Sequence, residues 1–141
     1  MRVFDVYRKL ADQGVALYTW DLGEEKAVTM EMGGQYALFM DFDNIGSAAE
    51  ETVVAYHEGG HICTGATHKV ASPYDLVERH EYRAWKWAIQ NCISKTELEQ
   101  AVADGCTELW QMADRFEVTE DFMQRAICWY RCGNASGELF C

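Results

Sequence analysis

The chain has 141 residues, is 49% hydrophobic and 13% aromatic, and carries a formal net charge of -11. A chain of this length and composition can bury a core of its own, so we predict a single domain over residues 1–141, with a tail that frays after about Gly133. The acidic balance repels phosphate backbones and disfavours nucleic acid as a partner, whereas it suits a basic protein.

The sequence lacks the usual signals for export or membrane insertion. It has no apolar run long enough to span a bilayer, and residues 1–5 lack the apolar core of a signal peptide. The six cysteines form no CxxC pair, so a zinc ribbon has no support. We therefore expect a cytoplasmic protein without a membrane partner, with its cysteines as free thiols.

The first third of the chain predicts one helix and three strands. Val3, Val6 and Leu10 recur on one helical face, and Gly14 ends that helix. Three segments rich in β-branched and aromatic residues follow, separated by turn-forming residues. They cover residues 15–22, 27–32 and 35–42, and short connections favour a small antiparallel meander.

From Ser47, an N-cap residue, the pattern becomes helical. One helix is predicted over residues 48–62 and a second over residues 74–92, after a polar connection. Ser94 and Glu97 form a capping box that opens a third helix. Two more helices are predicted at about residues 107–116 and 119–131. The fold class is therefore α+β, with a small antiparallel sheet followed by a helical half.

The segment from His57 to His61 reads His-Glu-Gly-Gly-His and fits the pattern H-E-x-x-H. Two histidines four residues apart lie on one face of a helix and can bind one zinc ion. Glu58 points to the side of that face, where it can take a proton from a zinc-bound water. The motif predicts Zn²⁺ as cofactor, His57 and His61 as ligands, and Glu58 as the catalytic general base.

The glycines of the motif bear on the competing interpretation, in which both histidines merely belong to a core or a surface. Gly59 and Gly60 would each cost about 1 kcal/mol relative to alanine in a helix interior. That cost is easier to understand if backbone or substrate approaches the helix closely.

A catalytic zinc needs a third protein ligand and an open position. Glu81 lies in the middle of the apolar stripe of the second helix, where an unpaired carboxylate would be costly. We predict Glu81 as the third ligand. An ion pair of Glu81 with Arg83 or Arg115 stays open, and so do other ligands: His80, His68 and, less favoured, Glu78.

With these residues in view, the chain resembles the ImmA/IrrE family of metallo-endopeptidases of bacteria, phages and mobile elements. The resemblance runs from about Gln35 to Tyr130. It rests on the zinc motif together with two longer segments, which are His80-Glu81-Tyr82-Arg83-Ala84-Trp85-Lys86-Trp87-Ala88 and Leu109-Trp110-Gln111-Met112-Ala113-Asp114-Arg115-Phe116-Glu117-Val118-Thr119.

The resemblance implies a gluzincin-like site in which His57, His61 and Glu81 bind zinc and Glu58 is the base. It also implies a substrate, a helix-turn-helix transcriptional repressor, which is a basic class of protein. Two positions depart from the family pattern. Gly59 replaces a bulky apolar residue, and Trp85 replaces the Asn or Asp that would orient a zinc histidine from the second shell.

In such an endopeptidase, we expect the substrate to add as an extended strand to an exposed sheet edge, for which residues 35–42 are the candidate. A further donor to the oxyanion of the transition state is usual. Tyr36, His68 and Tyr82 are the candidates for that donor.

Two other functions fit parts of the sequence. Residues 107–130 also scan as a helix-turn-helix, which would make the protein a DNA-binding regulator, although Glu120 and Asp121 would repel phosphate. A weakly active or inactive interaction module that keeps the fold and the zinc is the other alternative, and the intact Glu58 argues against it.

Overall fold

The computed structural model describes residues 2–65 and 74–132 and has the α+β fold that the sequence predicts. The helices and strands follow one another as α1 (Arg2–Asp12), β1 (Ala16–Thr19), β2 (Ala27–Met32), β3 (Gln35–Met40), α2 (Ala48–Cys63), α3 (Tyr74–Cys92), α4 (Lys95–Ala103), α5 (Leu109–Phe116) and α6 (Glu120–Cys132). Both predicted helix starts carry their caps: the side chain of Ser47 accepts from the backbone N–H of Glu50, and Ser94 and Glu97 form a capping box.

The sheet is mixed, so the predicted antiparallel meander is wrong in its strand order. The order is β1-β3-β2, with β2 antiparallel and β1 parallel to β3. The connection between β1 and β2 does not form a tight hairpin, because its backbone is bound to the residues that follow β3. The carboxylate of Asp41 accepts from the backbone N–H of Leu22 at 2.9 Å, and the amide of Asn44 donates to the carbonyl of Gly23 at 2.7 Å.

The strand order moves the exposed edges of the sheet. β3 is the central strand, so the prediction that residues 35–42 form an open edge is wrong. The edges are β1 and β2. The backbone of β3 forms hydrogen bonds on both sides. β3 pairs with β2 as a hairpin, and the long connection between β1 and β2 places β1 on the other side of β3.

One face of the sheet packs on the helices. Leu38 and Met40 of β3 point to that face and are buried, and Leu38 is paired in register with Thr29 of β2. The core continues between the helices as one cluster of buried apolar side chains. Its largest fully buried members are Phe116, Phe122, Leu10, Leu38, Ile89, Ile93, Met123 and Val6.

Helices α2 and α3 pack closely because Gly60 lies against the backbone of α3. A Cβ at Gly60 would lie 2.3 Å from the carbonyl oxygen of Ala84, which is far inside van der Waals contact. At Gly59 a Cβ would meet only side chains, with Val6 at 3.1 Å and Trp87 at 3.2 Å. The close backbone approach expected from the glycines is therefore observed, and Gly60 is the residue that requires it.

Among the described residues, no helix combines the length and the apolar composition needed to cross a membrane. Cys63, Cys92, Cys106 and Cys132 are free thiols, as expected. Cys128 is disulfide-bonded, so the expectation of a free thiol is wrong at that position.

Candidate metal centre

The three predicted ligands converge between α2 and α3. The Nε2 atoms of His57 and His61 and the carboxylate of Glu81 belong to a group whose ligand atoms all lie within 4.8 Å of one another. The two histidines follow each other by one helical turn, and their ring centroids are 4.8 Å apart. Their side chains are 20% and 10% exposed, so the group is sheltered and still open to solvent on one side. This cluster could hold a metal ion.

Glu81 joins the two histidines. Its Oε2 lies 2.8 Å from Nε2 of His57, and its Oε1 lies 2.9 Å from Nε2 of His61. An ionised carboxylate only accepts, so each Nε2 donates a proton in this arrangement. These two hydrogen bonds hold the pKa of the Glu81 carboxyl well below its usual range, and the bond from His57 contributes more than the bond from His61. The carboxylate on the apolar stripe is thus explained by the histidines.

The alternative partners of Glu81 lie elsewhere. Arg115 pairs with Asp104, 2.7 Å away. Arg83 lines a cavity together with Glu78 and Tyr82 of the same helix. The partners of Glu81 are therefore the two histidines and neither arginine.

The antiparallel crossing of α2 and α3 decides which side chains meet. As the residue number rises from His57 to His61, the partner's number falls from Trp85 to Glu81. The spacing of four on each helix is one turn, so both pairs form at once. The indole of Trp85 stacks on the imidazole of His57, with ring centroids 4.1 Å apart and planes 12° apart.

Trp85 therefore lies beside a candidate metal ligand and contacts it through its ring face. The guanidinium of Arg125 on α6 lies 4.4 Å from the ring centroid of the same indole, as a cation–π contact. Sequence reasoning missed Arg125. No local pattern marks it, because α6 reaches α3 only through the tertiary fold.

Glu58 extends from α2 towards the sheet. Its Oε2 accepts a hydrogen bond from the hydroxyl of Thr29 on β2, at 2.7 Å. Thr29 was also missed by sequence reasoning. Its place in the alternation of β2 was the available signal, because it shares the helix-facing side of the sheet with Leu38.

The donor set fits zinc. Two imidazole nitrogens and one carboxylate oxygen are the ligands of many catalytic zinc sites, which keep a fourth position for water or substrate. Donors of one tetrahedral zinc lie about 3.3 Å apart, as bond lengths near 2.0 Å require. The observed contacts of 2.8 and 2.9 Å are slightly closer, as expected for hydrogen bonds between the same groups.

The remaining predicted site residues are spread out. Tyr36 is on β3, on the helix-facing side of the sheet, in register with Glu31. Tyr82 points away from Glu81, with its ring against Trp129 of α6 at 6.5 Å. His80 is buried and does not belong to the ligand group found among the described residues. His68 lies outside the described residues.

Comparisons of the chain with protein-family models, with curated proteins and with solved structures gave no match.

Proposed function

We propose that this protein is a zinc-dependent endopeptidase. The observation that carries the proposal is the convergence of His57, His61 and Glu81 into one ligand group, with Glu58 on the same turn of α2. The resemblance to the ImmA/IrrE family adds independent support, because it rests on sequence segments in both the α3 and the α5 regions.

Each side chain has a separate task in this proposal. His57, His61 and Glu81 hold the metal, and a bound zinc supplies a water whose pKa is lowered to about 7 together with polarisation of the scissile carbonyl. Glu58 accepts the proton of the attacking water and passes it to the leaving amine. The hydroxyl of Thr29 holds Oε2 of Glu58, which leaves Oε1 for that proton transfer.

The sheet edge nearest the site is β2, because Thr29 on this strand contacts Glu58. In this proposal, an extended substrate pairs with β2 in place of the strand predicted from the sequence. Tyr36 shares the face of Thr29 and is the better placed of the two described candidates for the oxyanion donor. The net charge of -11 favours a basic substrate, and the family resemblance suggests a transcriptional repressor.

A DNA-binding role is less well supported. α5 and α6 do form a pair joined by a short turn at Glu117, whose φ of 59° is left-handed. However, α6 buries Phe122 and Met123 in the core. Its first turn, which a recognition helix would direct at base edges, carries Glu120 and Asp121.

The proposal is tested by metal analysis and hydrolysis on the same preparations. Wild type and Glu58→Gln should both contain about one zinc per chain, while only wild type cleaves a helix-turn-helix repressor. The amide cannot accept a proton, so the expected loss is about 10²–10⁴-fold. Wild-type rates from Glu58→Gln would refute the mechanism. Zinc without any hydrolysis by wild type would leave the interaction module as the better description.

A further inference from the structure

Within residues 2–65 and 74–132, no helix packs on the outer face of the sheet. Tyr18, Trp20, Met30 and Phe39 lie on this face, and we refer to these four residues as the outer-face patch. Tyr18 stacks on Phe39 with centroids 5.1 Å apart, and Trp20 meets the same ring edge-on at 6.3 Å. Trp20 is nevertheless 63% exposed and Tyr18 49% exposed. Large aromatic side chains left open as a contiguous group mark a surface that binds something.

The strand β1, which carries Tyr18 and leads directly into Trp20, is exposed at the edge of the sheet. All four residues of β1 are exposed, and β1 is an edge strand whose outer backbone groups face away from β3. Such an edge can accept a further strand. It lies at the opposite side of the sheet from β2, the strand that contacts Glu58.

The surroundings of the patch are acidic. Residues 16–46 contain six acids, of which Glu31 shares the helix-facing side with Tyr36, and Lys26 is the only Lys or Arg in this range. Lys26 is paired with Glu50 of α2, so its charge does not offset the acids around the patch. Asp41 is buried, and its oxygens accept from the backbone N–H groups of Leu22 and Asp43, so it is a structural carboxylate. The exposed acids therefore set the charge that a partner meets.

A cavity of about 200 Å³ connects the patch with these acids. Trp20 and Phe42 form its apolar walls, and Asp21 and Asp43 line it together with Thr19 and Asp41. Aromatic faces beside carboxylates suit the stem and the charged end of Lys or Arg. The volume fits one long side chain and is below that of a typical small-molecule site.

We propose that the outer-face patch binds an extended, cationic segment of another protein, which lies along β1 and places a Lys or Arg side chain between Trp20 and Phe42. Charge distinguishes this partner from the other candidates, which are a second copy of the chain and its own C-terminal residues. A second copy of the chain would bring two acidic rims together, and residues 133–141 contain no Lys or Arg. A cationic partner is the one whose charge is complementary.

The test uses a fluorescent peptide in which Lys alternates with Thr, and a matched peptide in which Ser replaces each Lys. Anisotropy is measured on metal-free protein, so the result does not depend on peptidase activity. We expect the Lys peptide to bind and the Ser peptide not to bind. Trp20→Ser and the pair Asp21→Asn/Asp43→Asn should each weaken binding about tenfold, because each removes one half of the cation site.

Two matched variants control for general effects. Trp110→Ser removes a tryptophan of α5 that is 56% exposed, and Glu99→Gln/Asp114→Asn removes two exposed acids from α4 and α5. Both should bind as wild type. The proposal is overturned if the patch variants bind normally, or if the charge control loses as much as Asp21→Asn/Asp43→Asn. It is also overturned if wild type sediments as a dimer that Trp20→Ser dissociates, because a second copy then occupies the patch.

Discussion

Gly60 should be the most sensitive position of the metal centre although it has no side chain. A Cβ at this position would lie 2.3 Å from the carbonyl oxygen of Ala84, whereas ordinary contact begins at 3.4 Å. Gly60→Ala therefore forces α3 away from α2 by about 1 Å. The obstacle is backbone, so rotation of a side chain cannot relieve it.

The effect on stability combines two opposing terms. Alanine gains about 1 kcal/mol of helix propensity over glycine, and overpacking costs about 1–3 kcal/mol or more. We expect a net loss of about 1–2 kcal/mol, since a fixed backbone atom places the clash at the upper end. Gly59→Ala is the matched control, because its Cβ meets only Val6 and Trp87 at 3.1 Å or more. Its two terms should nearly cancel.

The same displacement of α3 should also weaken metal binding. Metal–ligand distances tolerate changes of about 0.2 Å, and a shift of about 1 Å in α3 moves Glu81 beyond that range. We expect Gly60→Ala to bind zinc at least tenfold more weakly than Gly59→Ala. Chelator competition gives the affinities, and urea unfolding shows that both variants are folded. Equal zinc affinity and equal stability in the two variants would refute this account of the helix crossing.

The other predictions concern side chains around the same centre. Glu81→Ala should retain little zinc at low free metal by elemental analysis, and near-stoichiometric zinc in the folded variant would remove Glu81 from the ligand set. Because the histidines lower the pKa of Glu81 below the usual value of about 4.3, its carboxylate stabilises the metal-free fold above that pH and ceases to do so as the pH falls. In the metal-free protein, Glu81→Gln should therefore reduce the loss of unfolding free energy that occurs as the pH falls below about 5, and an unchanged pH dependence would contradict this. Thr29→Val should lower kcat/KM about tenfold at unchanged zinc content, because it removes the 2.7 Å hydrogen bond to Glu58, and Thr29→Ser should restore activity. Trp85→Asp should raise zinc affinity by about tenfold in chelator competition while costing about 3 kcal/mol of stability, and a folded variant with weaker binding would show that an acceptor is not needed beside His57.

Much of the candidate site could be predicted because it is local. Helix geometry alone places His57 and His61 one turn apart and turns Glu58 to the side of their face. The helix starts at Ser47 and Ser94 were equally readable, because a cap depends on residues three positions apart. Glu81 could be singled out as a ligand since its charge conflicts with the apolar stripe around it, although its partners could not be chosen.

The tertiary structure decided what depends on contacts between distant segments. Periodicity indicates that a segment is a strand but does not identify the strand that pairs with it. The parallel pairing of β1 with β3 therefore could not be predicted, because it depends on the hydrogen bonds by which Asp41 and Asn44 hold the connection between β1 and β2. The stacking of Trp85 on His57 likewise follows from the direction in which α3 crosses α2. That crossing is a property of the packed pair of helices. It is possible because Gly60 has no side chain to clash with the backbone of Ala84. The sequence by itself determined the donors, and packing determined which of them meet.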